Sequence, residues 1–296
     1  MKKWILWVAA ALALCLLVVG TFVIIELTKN PNVGLCLADA SQGEAITQAL
    51  EEAELIVNSG EATMAQVQLL SESSAVIFAQ LSAPEQAAAL KQKAGNVPVV
   101  FLGCRPADPD MPYIGGDSSQ AGQVLGQLLL AQPNRGDWNE DGTVTCLLVG
   151  AEIGRSDMAQ WAAAITQVLG GEGLEADFVE IPGLAFARQT GTSICSLALA
   201  SYGKDLEAVL VCSDGALYGA MDALEEGGRI PGRNVTLLGA GHSSQVAAMA
   251  QAGTINGYAY IEEASFCQAV VDAALCAQRG KTPETVILEY TQVLAQ

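Results

Sequence analysis

The stretch Asp137-Trp138-Asn139-Glu140-Asp141-Gly142-Thr143-Val144-Thr145-Cys146-Leu147-Leu148-Val149 places oxygen-bearing side chains at alternate positions and a glycine at the sixth. It then runs into a string of β-branched and apolar residues. The first half fits D-x-[DN]-x-[DN]-G, the opening of an EF-hand-type calcium loop, in which alternate side chains offer hard oxygens to the ion and the glycine permits the sharp turn. The second half departs from that motif. Position twelve, where a bidentate glutamate would sit, is Leu148, and the residues from Thr143 onward read as a buried strand rather than a second helix. The missing carboxylate must then come from elsewhere in the fold.

Working outward, the same strand–helix alternation continues in both directions. Strands are predicted over Val33–Ala38, Leu55–Asn58, Ala75–Gln80 and Val97–Leu102, with helices over Gly43–Ala53, Thr63–Leu70 and Pro84–Ala94 between them. A second run follows. Its helices are predicted over Ser119–Ala131, Met158–Leu169, Arg188–Ser201, Leu217–Glu226 and Ser244–Ala252. Its strands are predicted over Val144–Val149, Ala176–Ile181, Ala208–Cys212 and Val235–Leu238. Such alternation with short turns gives parallel sheets covered by helices, and two successive runs give two similar lobes. Ligands bind at the carboxyl ends of such strands. The relevant tips are Asp39–Ser41, Gly103–Arg105, Glu152–Asp157, Pro182–Phe186, Ser213–Asp214 and Gly239–Ser243.

The 296 residues carry 32 acidic against 14 basic side chains, a net charge of −18 that argues against nucleic acid and anionic lipid as partners. At the start of the chain, Lys2 and Lys3 precede an unbroken apolar run from Trp4 to Ile25. At about 1.5 Å per residue that run is about 33 Å long, enough to cross a bilayer core. It predicts a single-pass N-terminal transmembrane anchor in the cell membrane, with the lysines inside, the rest of the chain extracytoplasmic and a short stalk up to residue 32. A cleaved signal or a lipidated Cys15 is the alternative.

Of the eight cysteines, Cys36, Cys146 and Cys212 fall in predicted strands and read as small buried apolar groups. No C-x-x-C pair exists, and Cys195–Cys267 or Cys267–Cys276 pairings stay open. An enzyme is not expected. His242 is the single histidine, and no G-x-S-x-G or G-x-x-x-x-G-K-[ST] segment is present.

Several segments together carry a family resemblance. Asn96-Val97-Pro98-Val99-Val100-Phe101, Tyr113-Ile114-Gly115-Gly116-Asp117-Ser118 with Gly122, the 137–145 loop, and Val211-Cys212-Ser213-Asp214 with Gly219-Ala220-Met221 are similar to the type I periplasmic sugar-binding proteins, the galactose/glucose-binding branch most of all. The resemblance implies two Rossmann-like lobes with parallel sheets, joined by a three-segment hinge and preceded here by the transmembrane helix. It implies lobe 1 from 33–114 plus 262–283 and lobe 2 from 115–261 plus 284–296. It also supplies the missing carboxylate, so that Asp137, Asn139, Asp141, Thr143, Thr145 and Glu207 would hold a structural Ca2+.

The resemblance implies a sugar cleft whose recognition residues have largely changed here. Gly103, Trp161, Ser213 and Gly241 stand where that family has amide or charged side chains, and Ile261 lies close to another such position. The candidate ligand-binding set is Asp39, Ser41, Arg105, Arg155, Asp157, Trp161, Phe186, Ser213 and Asp214. Two functions follow. One is a solute-binding protein for a small, carbohydrate-like molecule, serving an ABC permease or a membrane sensor kinase. The other is a surface interaction or signalling module with a vestigial sugar site.

Overall fold

The structure, a computed structural model, describes residues 32–37, 43–80, 86–150, 156–179, 181 and 187–295. The expected transmembrane anchor and its stalk up to residue 31 lie outside them. Among the described residues no helix is long and apolar enough to cross a membrane.

The first sheet is built from β1 (Asn32–Leu37), β2 (Ile56–Glu61), β3 (Val76–Gln80), β4 (Val99–Leu102), β5 (Tyr113–Gly116) and β11 (Val286–Leu288), in the order β11-β5-β4-β3-β1-β2. The second holds β6 (Thr143–Val149), β7 (Glu175–Val179), β8 (Ala208–Val211), β9 (Thr236–Gly241), β10 (Gly257–Tyr260) and β12 (Thr291–Val293), in the order β12-β10-β9-β8-β6-β7. All pairings are parallel except β10 with β12. The central strands read as unbroken apolar runs, as in Val-Ile-Phe-Ala of β3 and Ala-Val-Leu-Val of β8, because helices cover both of their faces.

The helices α1 (Gly43–Glu52) and α9 (Glu263–Gln278) cover one face of the first sheet, with Ile46, Leu50 and Phe266 packed on Leu35 and Phe78. The other face takes α2 (Met64–Ser71) and α3 (Gln86–Ala94), with Val67 and Leu90 on Cys36 and Ile77. In the second sheet α4 (Ser118–Leu130) and α5 (Ser156–Gly171) pack on Val144, Cys146 and Leu148. The opposite face takes α6 (Arg188–Tyr202), α7 (Asp214–Glu226) and α8 (Ser244–Gln251), packed on Leu147, Val149, Val209 and Val211. Neighbouring residues of one strand thus enter different cores, as the two-residue side-chain period requires. Local chemistry starts several helices. The side chains of Thr63, Asp117, Ser213 and Ser243 accept from the backbone N–H of Gln66, Gln120, Ala216 and Val246 respectively.

The chain passes between the sheets three times, at β5→α4, β10→α9 and β11→β12. The last passage corrects an expectation. The expected lobe boundaries place residues 286–288 in the second lobe, yet β11 pairs with β5 and extends the first sheet. Gly115 and Gly116 also lie in the first sheet rather than in the second lobe. None of the seven described cysteines is in a disulfide, and Cys195 and Cys267 lie in different cores. Cys212 is half-buried just beyond the end of β8, not inside the strand.

Candidate functional site

Two places gather the sequence's chemistry, a loop in the second lobe and a cleft between the sheets. In the loop, Asp137 is buried and its Oδ1 and Oδ2 accept from the backbone N–H of Asp141 (3.2 Å) and Gly142 (2.9 Å). Asn139 Oδ1 accepts from Asp141 N and Asp141 Oδ1 from Thr143 N, each at 2.9 Å. Gly142 has φ of +91°, a left-handed conformation that favours glycine. Glu207 immediately precedes β8 and is fully buried. Its Oε1 accepts from Asn139 N and its Oε2 from Thr145 N, both at 3.0 Å. A carboxylate remote in sequence therefore closes the loop.

Burial pushes the Glu207 carboxyl above its ordinary range, and the charge of Asp137 adds to this. Hydrogen bonds from the backbone of Thr145, Asn139 and Trp138 oppose it. Asp137, Asn139, Asp141 and Glu207 thus bring hard oxygens, those of Asp137 and Glu207 on buried carboxylates, to one loop, and this donor chemistry suits calcium. In this structure the oxygens are turned to backbone donors. Among the described residues no group of three or more His, Cys, Asp or Glu side chains is arranged to hold a metal. Thr143 and Thr145 are half-buried on β6, next to the loop.

The cleft lies where the carboxyl ends of the two sheets meet. It encloses a cavity of about 90 Å³. Gln80, Gly103 with Cys104, and Gly116 reach it from the ends of β3, β4 and β5. Cys212, Gly241 with His242, and Ile261 reach it from the ends of β8, β9 and β10. Met158 and Trp161 of α5 and Phe266 of α9 complete much of the wall. The His242 ring, from the second sheet, stacks on Phe266, from the first lobe, at 3.9 Å between centroids and 13° between planes. Tyr290 packs against cores of both lobes and its N–H donates to Gln120 Oε1 at 3.0 Å. Trp161 is 5% exposed and belongs at once to the α4–α5 core and to the cavity wall. Its place depends on Gly122, where a Cβ would come within 2.7 Å of the Trp161 carbonyl oxygen.

Of the candidate ligand residues, Trp161 faces the cavity. Ser213 and Asp214 are buried. Ser213 Oγ caps α7 through Ala216 N (3.2 Å), and Asp214 Oδ1 accepts from Tyr258 Oη (3.0 Å). Arg105 is exposed near Gly103 and does not line the cavity. Asp39, Ser41, Arg155 and Phe186 lie outside the described residues, as does the Asp157 side chain. Gln80, Cys104, Met158, His242 and Phe266 line the cavity but are absent from the candidate set read from the sequence. The signal available for Gln80, Cys104 and His242 is their position at or just after a strand's carboxyl end.

A family model for a periplasmic binding protein domain matches residues 38–282. No curated protein matches the sequence. Similar solved structures include the Caulobacter myo-inositol binding protein bound to myo-inositol, with 14% identity, 90% of this chain and 94% of that chain covered, and a TM-score of 0.67. The periplasmic binding component of the arabinose ABC transporter from Shewanella sp. ANA-3, bound to arabinofuranose, shares 18% identity over 88% of this chain and 91% of that chain, with a TM-score of 0.64. An ABC transporter periplasmic solute binding protein from Actinobacillus succinogenes 130z with bound D-allose shares 15% identity over 89% of this chain and 97% of that chain, with a TM-score of 0.65. At these identities the likeness is one of fold.

Proposed function

Because the chain belongs to the periplasmic binding protein domain family, we propose that it is a solute-binding protein that takes one small, carbohydrate-like molecule between its lobes. The observation that carries this reading is the cavity itself. It is walled by residues from the ends of both sheets and lies beside the three passages on which the lobes would hinge. The similar solved structures with myo-inositol, arabinofuranose and D-allose bound support a ligand of that general size. The role is binding and release, with no chemical step. An ABC permease or a membrane sensor kinase would read the closed form. The apolar run Trp4–Ile25 would hold the lobes on the outer side of the membrane.

The same reading gives the loop a structural ion. Asp137, Asn139, Asp141, Glu207 and the threonines at 143 and 145 would hold Ca2+, which would offset the mutual repulsion of the buried carboxylates. Glu207, just before β8, supports this, since it supplies the carboxylate that the loop's own twelfth position lacks. The narrowness of the cavity favours a second reading, a signalling module whose cleft is filled by its own side chains. Thermal unfolding of the full-length chain across a panel of sugars, polyols and other small neutral compounds separates the two. The solute-binding reading expects at least one compound to raise the melting temperature by several degrees. A panel that leaves it unmoved, with no molecule copurifying, favours the signalling module.

A further inference from the structure

The three passages between the sheets lie along one side of the molecule. β5 and β11 are the last two strands at one end of the first sheet, and β10 and β12 hold the same places in the second. β2 and β7 form the opposite ends, so rotation about the passages opens the cleft along the β2–β7 side. The passages are also fastened to one another. Tyr290, in the third, donates its backbone N–H to Gln120 Oε1 of α4 at 3.0 Å. The next residue, Thr291, donates its hydroxyl to the Tyr260 carbonyl oxygen at the end of β10, also at 3.0 Å. Glu263 N, at the start of α9, donates to Tyr260 Oη at 3.0 Å.

Gly116 belongs to the first sheet. It ends β5 and pairs with Leu288 of β11. The hydroxyl of the buried Tyr113 lies 3.1 Å from the Gly116 carbonyl oxygen and 2.9 Å from that of Gly103, and so ties this strand end to β4. Gly116 therefore moves with the first lobe, whereas Gln120 ties the Tyr290 backbone to the second. Across that divide the Tyr290 ring lies directly on the Gly116 backbone. A Cβ at Gly116 would overlap Tyr290 Cε2 and come within 2.7 Å of Cζ, where carbon atoms pack at about 3.5–4.0 Å. The φ of Gly116 is outside the left-handed region, so the backbone does not demand glycine there and the ring does. The same ring lines the cavity and packs against cores of both lobes.

We propose that Tyr290 is the positioning residue of the hinge: its ring, carried by the second lobe and seated on the bare backbone of Gly116, sets the angle at which the lobes close. This deepens the solute-binding reading and rests on it for the purpose of closure. The described conformation is the closed one, with His242 of the second lobe stacked on Phe266 of the first. A side chain at position 116 unseats the ring and holds the lobes apart.

Pulsed electron-spin distance measurement on the full-length protein in detergent, with no ligand added, tests this. Spin labels are carried by non-canonical residues encoded at Glu61 and Gln189. Both positions are exposed, Glu61 at the end of β2 and Gln189 in the first turn of α6, which follows β7. Gly116→Ala should widen the mean separation by more than about 2 Å, the scale of a hinge rearrangement. In a Tyr290→Ala background the same substitution meets no ring and should leave the separation unchanged. Tyr290→Ala alone should broaden the distance distribution while its far-ultraviolet dichroism stays that of the parent. A parental separation in Gly116→Ala, or equal widening in both backgrounds, overturns the proposal. Should Gly116→Ala fail to fold, Tyr290→Ala decides, and a distribution as narrow as the parent's overturns the proposal. Such a failure leaves the solute-binding reading standing, since that reading falls only with the thermal panel.

Discussion

Replacing Glu207 by glutamine separates the loop's protein–protein bonds from its proposed ion. The parent carboxylate accepts two backbone N–H groups, those of Asn139 and Thr145, at 3.0 Å each. Glutamine retains one acceptor and turns an amide N–H2 toward the other donor. One hydrogen bond to a charged group, about 1.5–3 kcal/mol, is lost. Removing a buried charge whose ionised form is already disfavoured offsets part of that loss. In chelator the variant should therefore be destabilised by about 1–3 kcal/mol. Calcium then adds a separable term. An ion present at 100 times its dissociation constant stabilises the native state by about 2.7 kcal/mol. At about 2–4 °C per kcal/mol for a domain of this class, the parent should melt about 5–10 °C higher in calcium than in EDTA. Glu207→Gln should gain less than about 2 °C. Calorimetric unfolding in EDTA, in excess calcium and in excess magnesium measures all three quantities. Asp141→Ala provides an arm outside the buried interior, since Asp141 is exposed. If either variant gains as much from calcium as the parent, the loop is a hydrogen-bonded turn and not an ion cage.

Three further outcomes follow from the same interactions. Tyr258→Phe removes the hydroxyl that donates to the buried Asp214 carboxylate at 3.0 Å and accepts from Ser243 N, and should cost about 1–3 kcal/mol in urea unfolding. Burial raises the thiols of Cys36 and Cys267 to about 11 and of Cys195 to about 12. The unfolded chain loses these protons first, near the ordinary thiol value, so it binds fewer protons than the native state above about pH 8.5 and stability should fall from there upward. A melting temperature unchanged between pH 8 and pH 10 would refute this. Gly122→Ala places a methyl 2.7 Å from the Trp161 carbonyl oxygen and 2.8 Å from Ala164 Cβ. It should lower stability by about 1–2 kcal/mol and shift Trp161 emission, since α4 must move away from α5.

Most of the architecture is legible in the sequence because buried parallel strands leave an unmistakable apolar run between turn residues. Val144–Val149 and Ala208–Val211 are cases in point. The strand Tyr113–Gly116 does not read as one, because it ends in two glycines. The reason is packing, since a Cβ at Gly115 or Gly116 would strike the rings of Tyr113 and Tyr290. β11 and β12 are three residues each, half-buried or exposed, too short for a period to show. The helix α9 buries residues on much of its circumference, Phe266, Cys267, Val270, Val271 and Ala274 among them, so it carries little amphipathic signal. In the site, Glu207 is reached through a resemblance and not through spacing, since nothing in the sequence between residues 145 and 207 announces the contact. Ser213 and Asp214 occupy a strand tip, and their bonds to Ala216 N and from Tyr258 Oη are contacts that a strand-end rule alone does not announce.

The central claim, one small molecule held between two lobes, is tested most directly by native mass spectrometry of the full-length protein as purified. The account predicts a one-to-one mass increment that is present in the parent, is released on denaturation as a small molecule, and is absent from Trp161→Ala. A parent protein that carries no increment, and that acquires none from a concentrated small-molecule extract, would contradict it.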